Sequence, residues 1–568
     1  MQKDKNYQNL PKEKLLAEIE RLKKELKKKK KYGLVWEEKP EEVVEMCKEK
    51  LPVLKEVKNK EIITDKDKPV NLLIEGDNYH ALSVLNYTHA KKVDVIYIDP
   101  PYNTGARDWK YNNDYVDIND TFRHSKWLSM MSSRLILAKN LLKTDGVLIC
   151  AIDENEHANL GVLLEGLFPN KEIHSIVIVH NPRGVQGKNF SYCHDYAYFV
   201  FPNDGKIYIQ NKSRNNALVE ELRDHGGNSL RTNAKNCFYP FLCKGKRIVG
   251  TGEVPDKNFH PKSKNVKRKL GIIEVWPIDK NGIERKWVFA RSTVNSIIDK
   301  LEIKEIVSGE IDIFRTKDEQ KHRTVWIDPK YDASTYGSKI VADILGSNIF
   351  SFPKSLYTVE DCINAVVKNR KNALILDFFA GSGTTGHAVL ELNKGDGGSR
   401  KFILGTNNED NNGNEYKIAE DICYPRIKNV IGGYKNSKGE KVTGLGGNLK
   451  YFRTNFVDYD EPTDRNKIKL TKQSTEMLCV KEGTFERILD QKDFKIFKNA
   501  NHYTGIIFDQ SAILAFKKAI KNIRGKFSVY IFSLGDETFD EEFAGLKQKV
   551  KLSPIPEAIL CVYKRIFK

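Results

Sequence analysis

Two short segments of the 568-residue chain carry residue types whose spacing can do chemistry. The first is Asp99-Pro100-Pro101-Tyr102, directly after the apolar run Val93–Ile98. A buried strand that ends in an acidic residue and two prolines holds a carboxylate at the carboxyl edge of a sheet, on a stiff loop with an aromatic ring beside it. Such a loop suits a flat, nitrogen-bearing substrate. The exocyclic amine of a base such as adenine is a poor nucleophile because its lone pair is delocalised into the ring. Hydrogen-bond acceptors that draw the amine towards tetrahedral geometry help it to attack. Asp99 and the carbonyl of Pro100 can supply two acceptors, and Tyr102 can stack on a base removed from its duplex. The bland alternative, in which the four residues merely end a strand, leaves the acid and the ring without a task.

The second segment runs from Asp377 through Phe378, Phe379, Ala380, Gly381, Ser382, Gly383, Thr384 and Thr385 to Gly386. It reads as a strand turning through glycines into a helix, a turn that lets a nucleotide-like ligand approach the backbone closely. Gly381, Gly383 and Gly386 also satisfy G-x-G-x-x-G, so a nicotinamide-binding oxidoreductase is a competing reading. Against it, neither Glu391 nor Asp396 lies at the usual distance of ~20 residues for a ribose acid. A phosphate-binding P-loop fails outright, because His387-Ala388 stands where Lys-Ser/Thr is required.

The elements that must position these segments follow from apolar patterning. From residue 71 the chain reads strand, helix, strand (NLLIEGD, NYHALSVLNYTHA, VDVIYIDPPY). Its apolar runs do not alternate with polar residues, the texture of strands buried on both faces of a parallel sheet. A helical pattern from Lys126 to Leu142, the strand GVLICAID, and then SIVIVHN and YAYFVF continue that sheet. Between about 203 and 335 the pattern loosens into short strands and basic clusters such as Lys262–Lys269, interleaved with Phe238, Tyr239, Phe241, Trp276 and Trp287, as an inserted domain would. The α/β texture returns at 336, with the strand Ala373–Asp377. The predicted division is therefore a helical N-terminal segment (1–70), the DPPY half of an α/β domain (71–202), an inserted recognition domain (203–335), a glycine-turn half (336–435) and an α/β C-terminal extension (436–568) that serves interaction. In the first of these, Leu15, Ile19, Leu22 and Leu26 have a/d spacing over barely two heptads. An exposed amphipathic helix ending in Lys27–Lys31 is favoured over a dimer seam.

Composition narrows the partners. Lysine and arginine number 94 against 76 acidic residues, a net charge of +18 that suits a polyanion. The nine cysteines include no Cys-x-x-Cys pair, and the closest two, Cys237 and Cys243, lack partners at zinc spacing, so no metal is expected and reduced thiols are. No run approaches the ~18 apolar residues of a membrane helix, and the first residues have no apolar signal core, so a cytoplasmic protein is expected.

Together the two motifs resemble those of amino-methyltransferases that use S-adenosylmethionine. Phe379-x-Gly381-x-Gly383 looks like that family's cofactor motif and Asp99-Pro100-Pro101-Tyr102 like its catalytic motif, with aspartate in the first position as in adenine-N6 enzymes. The catalytic motif precedes the cofactor motif with an insert between them, the β-class order, which is permissible because neighbouring strands need not be sequential. The resemblance implies a Rossmann-like sheet. It also implies that Asp77 contacts the cofactor's adenine, that Phe352-Pro353-Lys354-Ser355, with Lys354, lies near its methionine end, and that Asp377 belongs to the cofactor loop. The ribose acid should end the strand Arg400–Gly405; Thr406 stands there, with Glu409 three residues on. The segment His194-Asp195-Tyr196 is expected to help hold the flipped base, with His194 and Tyr196 as its contacts. Arg231 and Lys267, with Lys235, Lys264 and Arg268, are expected on DNA. KKYGLVWEEKPEEV, FSYCHDYAYFVF, YPRIKNVIGGY and SPIPEAILCVYKRIFK further resemble the modification subunits of type III restriction-modification systems. That match implies double-stranded DNA as substrate, a dimer, and a separate restriction subunit with ATPase and nuclease activity. The nuclease-like set Pro255-Asp256 with Glu302-x-Lys304 reads as a compositional coincidence. A catalytically silent DNA-specificity subunit is the alternative from another class.

Overall fold

The computed structural model describes Ile19 and residues 35–567, apart from 66–67, 113, 308, 409–415, 460–462, 501, 536 and 538. Of the expected a/d series, Leu15, Leu22 and Leu26 lie outside the described residues. Two compact units are present, 1–208 with 323–568, and Ile209–His322.

The first unit is built on an eleven-stranded sheet. Its strands in chain order are β1 (Lys50–Glu56), β2 (Val70–Glu75), β3 (Val93–Ile98), β4 (Leu142–Ile152), β5 (Lys171–Val179), β8 (His194–Pro202), β9 (Val325–Trp326), β10 (Leu374–Asp377), β11 (Lys401–Thr406) and β12 (Asn448–Asp458), with Ile62–Ile63 beside β12. A hairpin of β6 (Val185–Gln186) and β7 (Ser191–Tyr192) stands outside the sheet between β5 and β8. Across the sheet the order is β1-β12-β2-β11-β10-β3-β4-β8-β5-β9. The six neighbours from β12 to β4 run parallel. All six residues of β3 are buried, as continuous apolar runs require in a sheet covered on both faces. The one acid among them, Asp94, is held by Lys143 at 2.8 Å and accepts from the Leu374 amide at 2.9 Å, so its burial is compensated and β10 is pinned beside β3.

Between β10 and β3 the chain changes direction. β3 continues outward into β4, whereas β10 continues the other way into β11, with Ile375 and Leu376 opposite Val95 and Ile96. This is the topological switch point of an α/β sheet, where a crevice opens beyond the carboxyl ends. Asp99 and Phe379 leave from these two neighbouring strands.

Three parts of the expected division are corrected. Residues 50–56 are a sheet strand, not part of a helical segment: four consecutive residues of β1 are buried and pair antiparallel with β12. β12 itself, expected in a separate C-terminal extension, lies beside β2 inside the main sheet. The inserted unit is narrower than 203–335, because Val325 and Trp326 pair with β5. Also, β8 is antiparallel to both neighbours, which its buried texture does not reveal.

Beyond β12 a five-stranded sheet (Glu486–Asp490, Phe494–Asn499, His502–Ile507, Lys526–Phe532, Val550–Ile555) has its own core around Phe494, Ile496, Phe516 and Phe527. The Tyr563 hydroxyl, donating to the Pro52 carbonyl at 2.5 Å, ties the following helix Glu557–Ile566 to β1. The second unit holds a three-stranded and a four-stranded sheet around Tyr239, Phe241, Trp287 and Ile313. Phe238 and Trp276 are buried as well, so the five aromatics singled out in this segment form cores and cannot stack on bases.

Candidate active site

Both segments contribute to one cavity of about 120 Å³, lined by Asp99, Phe350, Pro353, Lys354, Phe379 and Gly381 among others. The catalytic-type loop is rigidly seated. Trp127 donates its indole N–H to the Pro101 carbonyl at 2.7 Å, leaving the Pro100 carbonyl outside that bond. Asn103, fully buried with φ 59°, receives the Trp109 indole N–H at 3.1 Å and donates to Glu156. Asparagine is one of the few residues that adopts this left-handed conformation readily. The Tyr102 hydroxyl donates to Asp99 Oδ1 at 2.7 Å.

The glycine turn is built as its sequence demands. Gly381 and Gly383 have φ of 49° and 82°, and Gly383 precedes the helix Thr384–Asp396. A Cβ on Gly381 would stand 3.3 Å from Phe350, and one on Gly383 would stand 3.1 Å from the Cys423 sulfur. Asp377 accepts from the Thr385 hydroxyl at 2.5 Å and the Phe379 amide at 3.0 Å. Burial nevertheless pushes its carboxyl up to about 7, with the charge of Asp99 adding to the rise and the two hydrogen bonds opposing it. Arg426, wholly buried behind the turn, donates to the Ser382 hydroxyl at 2.9 Å and the Thr384 hydroxyl at 2.8 Å.

Lys354 lines the same cavity. Its ammonium lies 3.3 Å from Asp99 Oδ1, 3.0 Å from Asp195 Oδ2 and 4.4 Å from the centre of the Tyr102 ring, against the catalytic-type loop itself. Asp195 is the middle residue of His194-Asp195-Tyr196, the segment expected to help hold the base. Strand alternation sends the outer two to the opposite face, where His194 Nε2 meets the Tyr196 hydroxyl at 3.1 Å and the Tyr196 ring lies 3.9 Å from that of His157. His180 Nε2 stands 3.2 Å from Asp195 Oδ1. Burial favours the protonated acid, but the Lys354 ammonium and His180 outweigh it and hold the Asp195 carboxyl below the usual range. A site can be expected to recruit a neutralising acid for a buried lysine. Which acid it recruits depends on which strand face points inward.

The other expected residues lie apart. Asp77 caps the helix Asn78–Thr88 through the Tyr79 amide at 2.7 Å and faces Arg134 at 3.4 Å. It does not line the cavity. Glu409 is outside the described residues, and Thr406 ends β11 as read. In the second unit Arg231 is spent internally, on Glu284 and on the carbonyls of Phe259 and Asp256. Lys264 is buried against Asp312 at 2.9 Å, and Arg268 pairs with Glu274. Arg231 and Lys264 are therefore structural, whereas Arg268 stays exposed beside Glu274, as do Lys235 and Lys267.

An α/β sheet whose switch-point crevice joins a carboxylate loop to a glycine turn defines a nucleotide-handling transferase scaffold. The DNA methylase family model matches residues 93–412, and the chain belongs to that family. It is 32% identical to the type II methyltransferase M.KpnI of Klebsiella pneumoniae over 391 residues, covering 65% of this chain and 89% of that protein. To the type III restriction-modification enzyme EcoPI Mod subunit of Escherichia phage P1 it is 28% identical over 380 residues, covering 59% of this chain and 57% of the subunit. The chain thus spans little more than half the length of that relative. Among solved structures, the M1.HpyAVI–SAM complex matches at 13% identity with a TM-score of 0.25, over 59% of this chain and 92% of the other. Among the described residues no helix is long and apolar enough to cross a membrane.

Proposed function

We propose that this DNA methyltransferase methylates adenine N6 in double-stranded DNA. We further propose that it acts as the modification subunit of a type III system, a cytoplasmic dimer that works with a separate restriction subunit. The observation that carries the methyl-transfer reading is the cavity onto which both Asp99 and the Gly381 turn open, and aspartate rather than serine at position 99 supports adenine as the base. The cofactor is S-adenosylmethionine, which when bound supplies a methyl group activated on a cationic sulfonium. The residues present fit such a ligand. Left-handed glycines keep the turn open to it, Phe350 and Phe379 offer apolar walls, and Asp99 and Asp377 provide acid groups beside a cation.

The chain's own part is positioning and charge. Both contacts to Asp99 fall on Oδ1, so Oδ2 is left to accept from the amine, with the Pro100 carbonyl as second acceptor. Tyr102, fixed through its hydroxyl, offers a ring face to the base. Asp99, Asp195 and Lys354 sum to one negative charge, which favours the positive charge that develops on the attacking nitrogen. The surplus proton leaves afterwards, and no covalent intermediate on the protein is needed. Lys235 and Lys267 remain as phosphate contacts in the recognition unit.

Purified chain, DNA and S-adenosylmethionine labelled in the methyl group provide the test, followed by modified-base sequencing. N6-methyladenine at a fixed site is the expected result. N4-methylcytosine would overturn the base assignment, and absence of transfer would leave the silent specificity subunit. Support for the type III reading comes from the Mod-subunit relatives. Cleavage that appears only when a restriction subunit is added back tests it.

A further inference from the structure

The hairpin of β6 and β7 has no core beneath it. Val185 stands opposite Tyr192 in the antiparallel pair, and Phe190 ends the connecting turn two residues before Tyr192. These three side chains are 59%, 44% and 76% exposed for Val185, Tyr192 and Phe190 respectively, an apolar ridge turned to solvent. The turn is tight and specific. The Gly187 amide donates to the Phe190 carbonyl at 3.0 Å, and a Cβ on Gly187 would stand 2.5 Å from that carbonyl.

The base of the hairpin is fastened to the active site. His180 and Asn181 donate their amides to the Cys193 carbonyl at 3.1 and 3.2 Å, closing the loop. His180 and Asp195, which flank it, meet each other at 3.2 Å beside Lys354. From His180 to His194 there is no acidic residue, while Arg183 and Lys188 are exposed along the hairpin. Apolar tip, basic flanks and a root on the catalytic carboxylates suit one occupant, a nucleic-acid duplex opened at the target base.

We propose that the 183–192 hairpin is a wedge. It enters the duplex beside the target pair, with Phe190 filling the space from which the base is drawn and Arg183 and Lys188 on the neighbouring phosphates. This rests on the reading of the chain as a methyltransferase acting on an extruded base, because extrusion leaves a gap whose stacking must be replaced. The ridge supplies apolar groups at that place, and the anchored base keeps them in register with Asp99.

The test uses the full chain and a duplex carrying its own methylation site, in single turnover with labelled S-adenosylmethionine. Phe190→Ser is expected to slow transfer about tenfold or more on the intact duplex, the scale of one lost base–aromatic stack. With the base opposite the target removed, the variant should come within about twofold of the native chain, since that substrate is already unpaired. Phe190→Trp should retain transfer on both. An unchanged rate for Phe190→Ser on the intact duplex would overturn the wedge, as would an equal loss on both substrates. A change of oligomeric state with undiminished transfer would assign the ridge to a second copy and overturn it too. A native chain that transfers to neither duplex would sink the underlying reading instead.

Discussion

Substituting Asp195 by asparagine keeps the shape and removes one charge. Lys354 now shares itself between Asp99 at 3.3 Å and Asp195 at 3.0 Å. With Asp195 neutral, Asp99 becomes its sole carboxylate partner and is drawn from its role as acceptor. The three-residue sum also moves from minus one to zero. Two unit charges 3.0 Å apart attract by about 5.5 kcal/mol at an effective dielectric near 20. The asparagine amide retains part of the hydrogen bonding, so the net loss should be that of one charge-assisted bond, about 1.5–3 kcal/mol. If that loss falls on the transition state, the single-turnover rate drops roughly 10- to 150-fold. Because Asp195 acts through Lys354, the Kd values for DNA and S-adenosylmethionine should hardly move. The assay is rapid-quench methyl transfer at saturating concentrations of both, beside equilibrium binding. A rate within about twofold of native would refute the charge argument. So would a loss confined to binding.

Lys354→Met should leave Asp99 and Asp195 as like charges linked through the Tyr102 hydroxyl. One of the pair then holds its proton to higher pH, and the acid limb of the pH–rate profile should shift upward by about one pH unit or more. Asp377→Asn addresses stability. The folded-state value of about 7 lies above the ~3.9 of an unfolded aspartate, so its contribution is full below about pH 4 and is lost as pH rises through 7. Native chain should therefore lose on the order of 4 kcal/mol between pH 4 and 8 relative to the asparagine variant, read from denaturant midpoints. Asn103→Ala forces a left-handed alanine and strands the Trp109 indole. It should cost about 3 kcal/mol in urea titration and slow transfer by disordering the loop.

How much of this was legible depends on where the information sits. The strands β3, β10 and β11 announce themselves because parallel strands covered on both faces must be apolar throughout. The turn at Gly381 announces itself because its closely spaced glycines favour the left-handed backbone found at Gly381 and Gly383. By contrast, β1 and β12 join the sheet across some 400 residues, a pairing that no local pattern encodes. The basic residues of the recognition unit misled for a related reason. A lysine or arginine in the sequence does not reveal its counter-ion, and Glu284 and Asp312 claim two of the candidates.

Asp195 shows the limit most sharply. His194-Asp195-Tyr196 presents three polar groups, and the sequence alone does not say which of them faces the site. What decides is parity: in β8 odd and even residues face opposite ways, and Asp195 is the member that meets Lys354. Parity becomes known only when the strand's neighbours are known, and those neighbours, β4 and β5, are antiparallel to it at the side of the sheet where the parallel texture ends. The catalytic motif could be read from one loop. The charge that makes it work is set by a lysine more than 250 residues downstream and an acid from a third segment, so it follows from topology and from nothing local.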